Sequence, residues 1–265
     1  MITTVTDKLL PAALLALSAL MQTAAFPADS LSAASGASIL KSNPLGTATQ
    51  AKQINKAIEA GIAFLVEHQN PNGSWGSARN TKGLNIFAPV PGAHHAFRAG
   101  VTSLCVSALI ESGDTSEAAA RTLDRAEAWM FEHMPKLRRA TNVAIYNVWG
   151  HAYSISAFCA MLKRHTGDRR KCAQIKRQIR TQIALLMRYE CVGGGWGYYD
   201  FDFSTQKPSD STPSFVTGTV LVALHRAQKD AGIGIDKGLI RRSKALLRRQ
   251  RKPDFSFVYS ENHKY

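Results

Sequence analysis

The chain contains no run of about 18 consecutive apolar residues, which excludes a membrane-spanning helix from the processed protein. It has four cysteines, Cys105, Cys159, Cys172 and Cys191, and no Cys-x-x-Cys pair. That leaves no zinc knuckle and no disulfide framework. Cys105 and Cys159 fall inside apolar helical stretches and read as small core residues. Cys172 and Cys191 bracket one predicted helix; at a rise of about 1.5 Å per residue they stand about 28 Å apart, too far to bridge. Nothing alternates with period two for long, so almost no sheet is expected. Acid is scarce: 19 Asp and Glu face 33 Lys and Arg, for a net charge of +14.

The basic residues gather at Arg138-Arg139, Arg169-Arg170-Lys171, Lys176-Arg177-Arg180 and Arg241 to Lys252. At helical spacing these fall on solvent-facing sides. They suit contact with an anionic lipid surface or an acidic polysaccharide. No aromatics interleave with them, so nucleic acid is not an expected partner.

The N-terminus differs from the rest. Leu9 to Met21 is an apolar run of signal-peptide length, preceded by Lys8 and followed by Thr23, Ala24 and Ala25. Asp7 offsets the charge of Lys8. Residues 1–25 therefore read as a secretory signal, cut near Ala25 or Ala28. No Cys follows the run, which argues against a lipid anchor. Residues 26–47, rich in Ser, Ala, Gly and Pro, read as a flexible linker. The expected location is periplasmic or extracellular.

From residue 48 onward two helix types alternate. Segments 48–69, 116–134, 171–190 and 236–250 are amphipathic and charged on one side. Segments 99–113, 149–165 and 213–231 are apolar nearly all round. A helix apolar on every side has to be surrounded; one with a single stripe can form an outer wall. A short string marks the junctions. Gln69-Asn70-Pro71-Asn72-Gly73-Ser74-Trp75 returns as Glu190-Cys191-Val192-Gly193-Gly194-Gly195-Trp196. A worn copy stands at Pro253-Asp254-Phe255-Ser256-Phe257. Trp75 and Trp196 are 121 positions apart, and Trp196 and Phe257 are 61 apart. The longer interval holds two repeats, with an eroded copy near Trp129 to Pro135. Such periodicity is the signature of a helical repeat array. The third copy, with Phe255 where glycine is expected, should form a looser or differently shaped turn.

These strings resemble the QW motif of squalene–hopene and oxidosqualene cyclases. Gln69-x-x-x-Gly73-x-Trp75 carries the likeness, with the turn Gly193-Gly194-Gly195-Trp196-Gly197. Ser211-Thr212-Pro213-Ser214, followed by Thr217 to Leu224, resembles the start of an inner helix there. Gly150-His151-Ala152-Tyr153 is similar to an inner helix of the wider superfamily, which includes protein prenyltransferase β subunits. The resemblance covers most of residues 50–260. It implies an all-α fold, an α/α toroid of concentric helices over 48–265. It also implies structural roles for Gln69, Gly73, Trp75, Glu190, Gly194 and Trp196. The family closes its ring with six helix pairs; four outer and three inner helices are legible here.

The chemistry of that family is less visible. Its cyclases protonate an alkene with Asp-x-Asp-Asp, which is absent; only Asp210 stands where the central acid would. Asp210, Ser211 or Thr212 is expected to cap the helix that begins near Pro213. No Asp, Cys and His triplet for a zinc site occurs, no Asp-Asp-x-x-Asp occurs, and no cofactor is called for. Polar candidates cluster at inner-helix starts: His94, His95, Arg98, Tyr146, Trp149, His151, Tyr153, Asp200 and Asp202. In a toroid these would line one mouth of the central cavity, where an isoprenoid or a glycan could bind. The expected function is binding through that cavity without cyclase chemistry. Two alternatives stay open. One is a divergent terpene cyclase or prenyl-handling enzyme. The other is a polysaccharide lyase acting on acidic glycans, with His95 or Arg98 serving.

Overall fold

The computed structural model describes residues 48–76, 95–137, 147–198 and 211–261. The signal and linker segments, and Arg138-Arg139, lie outside the described residues. The chain divides into two units, 1–65 and 66–265. Among the described residues the protein is all-α, with seven helices. These are α1 (Ala48–Glu67), α2 (His95–Glu111), α3 (Glu117–His133), α4 (Asn147–Arg164), α5 (Arg169–Arg188), α6 (Ser214–Ala231) and α7 (Lys237–Gln250). A 3₁₀ turn, Met134–Lys136, stands at the eroded copy near Trp129 to Pro135. An isolated antiparallel bridge pairs Arg251 with Phe257.

Helix boundaries follow local chemistry. Ser116 accepts from Ala119 N at 3.2 Å and opens α3. Asp168 accepts from Lys171 N at 2.9 Å and opens α5. Asp236 accepts from Gly238 N and Leu239 N and opens α7. Each side chain satisfies amide groups that a helix start leaves without partners. Helix α6 departs from expectation. Its N-cap is Pro213, which has no polar side chain and makes no side-chain cap hydrogen bond. The Ser214 amide instead donates to Tyr259 O at 2.8 Å. Thr212 O accepts from Gln250 Nε2 at 2.8 Å, so the segment before α6 is held from outside.

Helix α4 is the hub of residues 66–265, packing on α2, α5 and α6. Fourteen of its eighteen residues are buried, against five of twenty in α5. That difference follows the sequence patterns: α4 is apolar all round, while α5 buries only Ile175, Ile179, Gln182, Ile183 and Leu186. Each of α3, α5 and α7 packs against the helix before it, α2, α4 and α6 respectively. Helices α2 and α6 are less enclosed than α4; Val101, Leu104, Leu221 and Val222 stay half-buried.

The three repeated strings fold into one turn, bond for bond. Asn70 N donates to Ser74 O and Gly73 N to Asn70 O, both at 2.9 Å. Cys191 N to Gly195 O and Gly194 N to Cys191 O repeat the pair, again at 2.9 Å. Lys252 N to Ser256 O (2.7 Å) and Phe255 N to Lys252 O (3.0 Å) repeat it once more. Gly73, Gly194 and Phe255 have φ of 87°, 88° and 69°. The third turn keeps the frame of the other two, contrary to the looser shape expected from Phe255. What changes is what lies over it. A Cβ on Gly194 would stand 2.9 Å from Arg242 O of α7, and one on Gly73 would strike Arg125 O of α3. Phe255 is 69% exposed, so there a side chain meets no helix.

Candidate functional site

The turns also fix side chains in register. Gln69 Nε2 donates to Thr122 O of α3 at 2.8 Å, and its Oε1 accepts from Arg125. Glu190, at the same place in the second turn, takes Arg242 of α7 at 2.6 and 2.8 Å. Trp75 N donates to Thr102 of α2 at 3.0 Å and Trp196 N to Thr217 of α6 at 3.2 Å. Both rings are buried, and Trp196 Nε1 donates to Leu186 O at 2.7 Å. Gln69, Gly73, Trp75, Glu190, Gly194 and Trp196 thus join each turn to the helices beside it.

Two residues beyond the aromatic of the second and third turns stand Tyr198 and Tyr259. Their carbonyls receive the amides that open α4 and α6: Val148 N to Tyr198 O at 3.4 Å, Ser214 N to Tyr259 O at 2.8 Å. Their rings join those of Trp149 and Phe215, residues of the first turns of the same two helices. Trp149 meets Tyr198 edge-on with centroids 5.5 Å apart, and Phe215 at 5.9 Å. Phe215 meets Tyr198 at 6.0 Å and Tyr259 at 5.5 Å. The Tyr198 and Tyr259 hydroxyls hydrogen-bond to each other. The four rings form one aromatic wall at the starts of α4 and α6. Phe215 is 43% exposed and Tyr259 42%. Aromatic side chains that reach solvent beside hydroxyls suit a ligand with an apolar face and polar edges.

Of the residues nominated from sequence, Trp149 lies in this wall. Tyr153, one turn further along α4, sits beside Gly100 of α2, and burial pushes its phenol above its ordinary range. Arg98 is half-buried on α2, its Nε out of water without a hydrogen-bond partner among the described residues. His151 is fully buried, its Nδ1 2.7 Å from Gln182 Oε1 of α5; it faces that helix. Gln182 also donates to Met134 O at 3.1 Å, tying α5 to the 3₁₀ turn. His94, Tyr146, Asp200, Asp202, Asp210 and the side chain of His95 lie outside the described residues. Phe215, Tyr198 and Tyr259 were missed from sequence. The signal for the two tyrosines was positional: each stands two places after the repeated aromatic.

A second polar cluster joins α3 to α4 and α5. The buried Glu127 carboxylate holds Arg164 at 2.6 Å, His165 at 2.9 Å and Lys171 at 3.3 Å. Its charge is fully engaged in joining helices. Among the described residues no group of three or more His, Cys, Asp or Glu could hold a metal ion. No described helix is long and apolar enough to cross a membrane. No protein-family model, curated protein or solved structure matches the chain.

Proposed function

We propose that residues 66–261 form an arc of an α/α toroid of the terpenoid cyclase and prenyltransferase kind, used as a binding module. The ligand lies on the aromatic wall of Trp149, Tyr198, Phe215 and Tyr259. One observation carries this reading: four rings touch, yet two remain more than two-fifths exposed. Isolated exposed aromatics are ordinary, but a contiguous exposed patch calls for a contact. Support for the arc is the packing order, with α4 between α2 and α6 and each of α3, α5 and α7 on the helix before it.

An open wall with tyrosine hydroxyls favours a glycan chain laid across it. The net charge of +14, with Arg98 on the neighbouring helix, favours an acidic one. A second reading, an isoprenoid ligand, draws on the half-buried Val101 and Leu104 of α2 and Leu221 and Val222 of α6. Tryptophan fluorescence separates them, titrated with an acidic oligosaccharide and, in a parallel arm, an isoprenoid alcohol. A saturable change with the oligosaccharide, lost in Trp149→Phe, is expected. A response to the alcohol alone selects the second reading, and silence in both arms contradicts the proposal. The cyclase and lyase alternatives rest on Asp210 and on His95 or Arg98; product formation from squalene or from a uronate polymer would establish one of them. Export through residues 1–25 belongs to the same reading, and a secreted protein beginning after Ala25 or Ala28 would bear it out.

A further inference from the structure

The third turn keeps the backbone of the other two but does not bury its aromatic. Trp75 and Trp196 are 3% and 0% exposed; Phe257, at the same place in the third string, is 48% exposed. Phe255 before it is 69% exposed and Tyr259 after it 42%. Every second side chain from 255 to 259 is thus an aromatic that reaches solvent, while Val258 is half-buried and Ser260 buried.

A short hairpin sets this strip. Val258 N donates to Gln250 O at 2.9 Å and Lys252 N to Ser256 O at 2.7 Å, so Arg251 and Phe257 stand directly opposite each other. Opposed side chains in an antiparallel pair share a face. Arg251 also lies over the Phe255 ring, 4.4 Å from its centroid. A guanidinium stacked on a ring keeps its charge and its in-plane N–H donors for a further partner. One face therefore carries Arg251, Phe255 and Phe257. Two residues on, the chain reaches Tyr259, a ring of the aromatic wall.

The acids of this segment are engaged. Asp254 accepts from Ser256 N at 3.0 Å and from the Ser256 hydroxyl at 2.7 Å. Glu261 is held by Arg249 at 2.8 Å. Arg251 and Lys252 form no ion pair among the described residues. An incoming anion would meet those two cations at the edge of the rings. A wholly apolar ligand would instead cover Arg251 without supplying a counter-charge, which is costly. A chain of sugar rings bearing carboxylates meets both needs, with apolar sugar faces on the phenyl rings and carboxylates on Arg251 and Lys252.

We propose that the ligand surface continues past Tyr259 onto a second subsite made of Phe257, Phe255 and Arg251, and that the ligand is a polymer of acidic sugars long enough to occupy both. This rests on the aromatic wall being the ligand site.

Calorimetric titration of the full chain with a galacturonate trimer and a galacturonate decamer tests it. The trimer is short enough for the wall alone. Two variants report on the strip: Phe255→Gly combined with Phe257→Ala, and Arg251→Gln. All three positions are exposed, so circular dichroism should stay as in wild type. If the double variant perturbs the hairpin, Arg251→Gln carries the test alone. In each variant the decamer should bind about tenfold more weakly, and the trimer as in wild type. Phe215→Ala should weaken both. A decamer bound by the strip variants as tightly as by wild type overturns the second subsite, and leaves the wall standing where Phe215→Ala still weakens it. Equal losses for trimer and decamer in the strip variants also overturn it, because those residues would then act through the wall. Wild type that binds neither oligomer overturns the acidic-glycan reading and the subsite with it.

Discussion

At the scale of single residues, the repeated aromatic and glycine are tied to the helices beside them. The Trp75 side chain is buried, so Trp75→Ala should cost about 3–5 kcal/mol through lost burial and the cavity left behind. Urea denaturation with an unchanged m-value would show it. Gly73 needs both its positive φ and its bareness, since Arg125 O lies where a Cβ would go. Gly73→Ala should therefore destabilise by more than about 1 kcal/mol. Phe255 has the same backbone conformation without a helix above it. Phe255→Gly relieves a left-handed conformation that costs a non-glycine residue roughly 1–2 kcal/mol, and should leave the melting temperature equal or higher. A clear drop would mean that the Phe255 ring stabilises the monomer by more than its stacking with Arg251 can supply.

At the scale of elements, the helix count, their alternation and most boundaries were legible, because periodicity and caps are local properties. The cap of α6 was not. Ser211-Thr212-Pro213 has the composition of a helix start, yet the Ser214 amide is satisfied by Tyr259, 45 positions away, and no local pattern announces such a partner. The Glu127 cluster was equally hidden, since its charges come from three helices. Glu127→Gln would leave Arg164, His165 and Lys171 without their shared anion. Those three side chains keep some contact with water, so a loss of roughly 3 kcal/mol is expected, the low end for breaking a buried pair. Helix α4 also gives a pH dependence of known sign. Burial, with Asp230 adding to it, pushes the Cys159 thiol from 9.0 up to about 12. A raised thiol favours the neutral form in the folded state. Its contribution is complete below pH 9 and is lost as pH rises from 9 towards 12. The stability advantage of wild type over Cys159→Ala, measured by chemical denaturation, should shrink across that window.

At the scale of the whole molecule, the sequence showed where polar residues gather but not which rings meet. Trp149 was nominated because it opens an apolar helix. Tyr198, Phe215 and Tyr259 join it only because two turns return their tails to the starts of α4 and α6, contacts that span 61 positions in the case of the two tyrosines. The basic faces of α5 and α7 do point to water, although Arg242 and Arg249 are engaged by Glu190 and Glu261. If the remaining charge recruits an acidic surface, cosedimentation with anionic vesicles should weaken steeply between about 0.1 M and 1 M salt, as the Debye length falls from about 10 Å to about 3 Å. Binding indifferent to salt would leave those faces as solvated surface. The central claim is a division of labour, in which the aromatics of the turns hold the array together and the aromatic wall meets the ligand. The most direct test is to measure thermal melting and calorimetric affinity for an acidic oligosaccharide in two variants, Trp75→Ala and Phe215→Ala. The account predicts that Phe215→Ala melts close to wild type but binds about tenfold more weakly, near 1.4 kcal/mol, while Trp75→Ala melts far lower and, where still folded, binds as wild type does. Undiminished affinity in Phe215→Ala, or weakened affinity in folded Trp75→Ala with its melting unchanged, would contradict it.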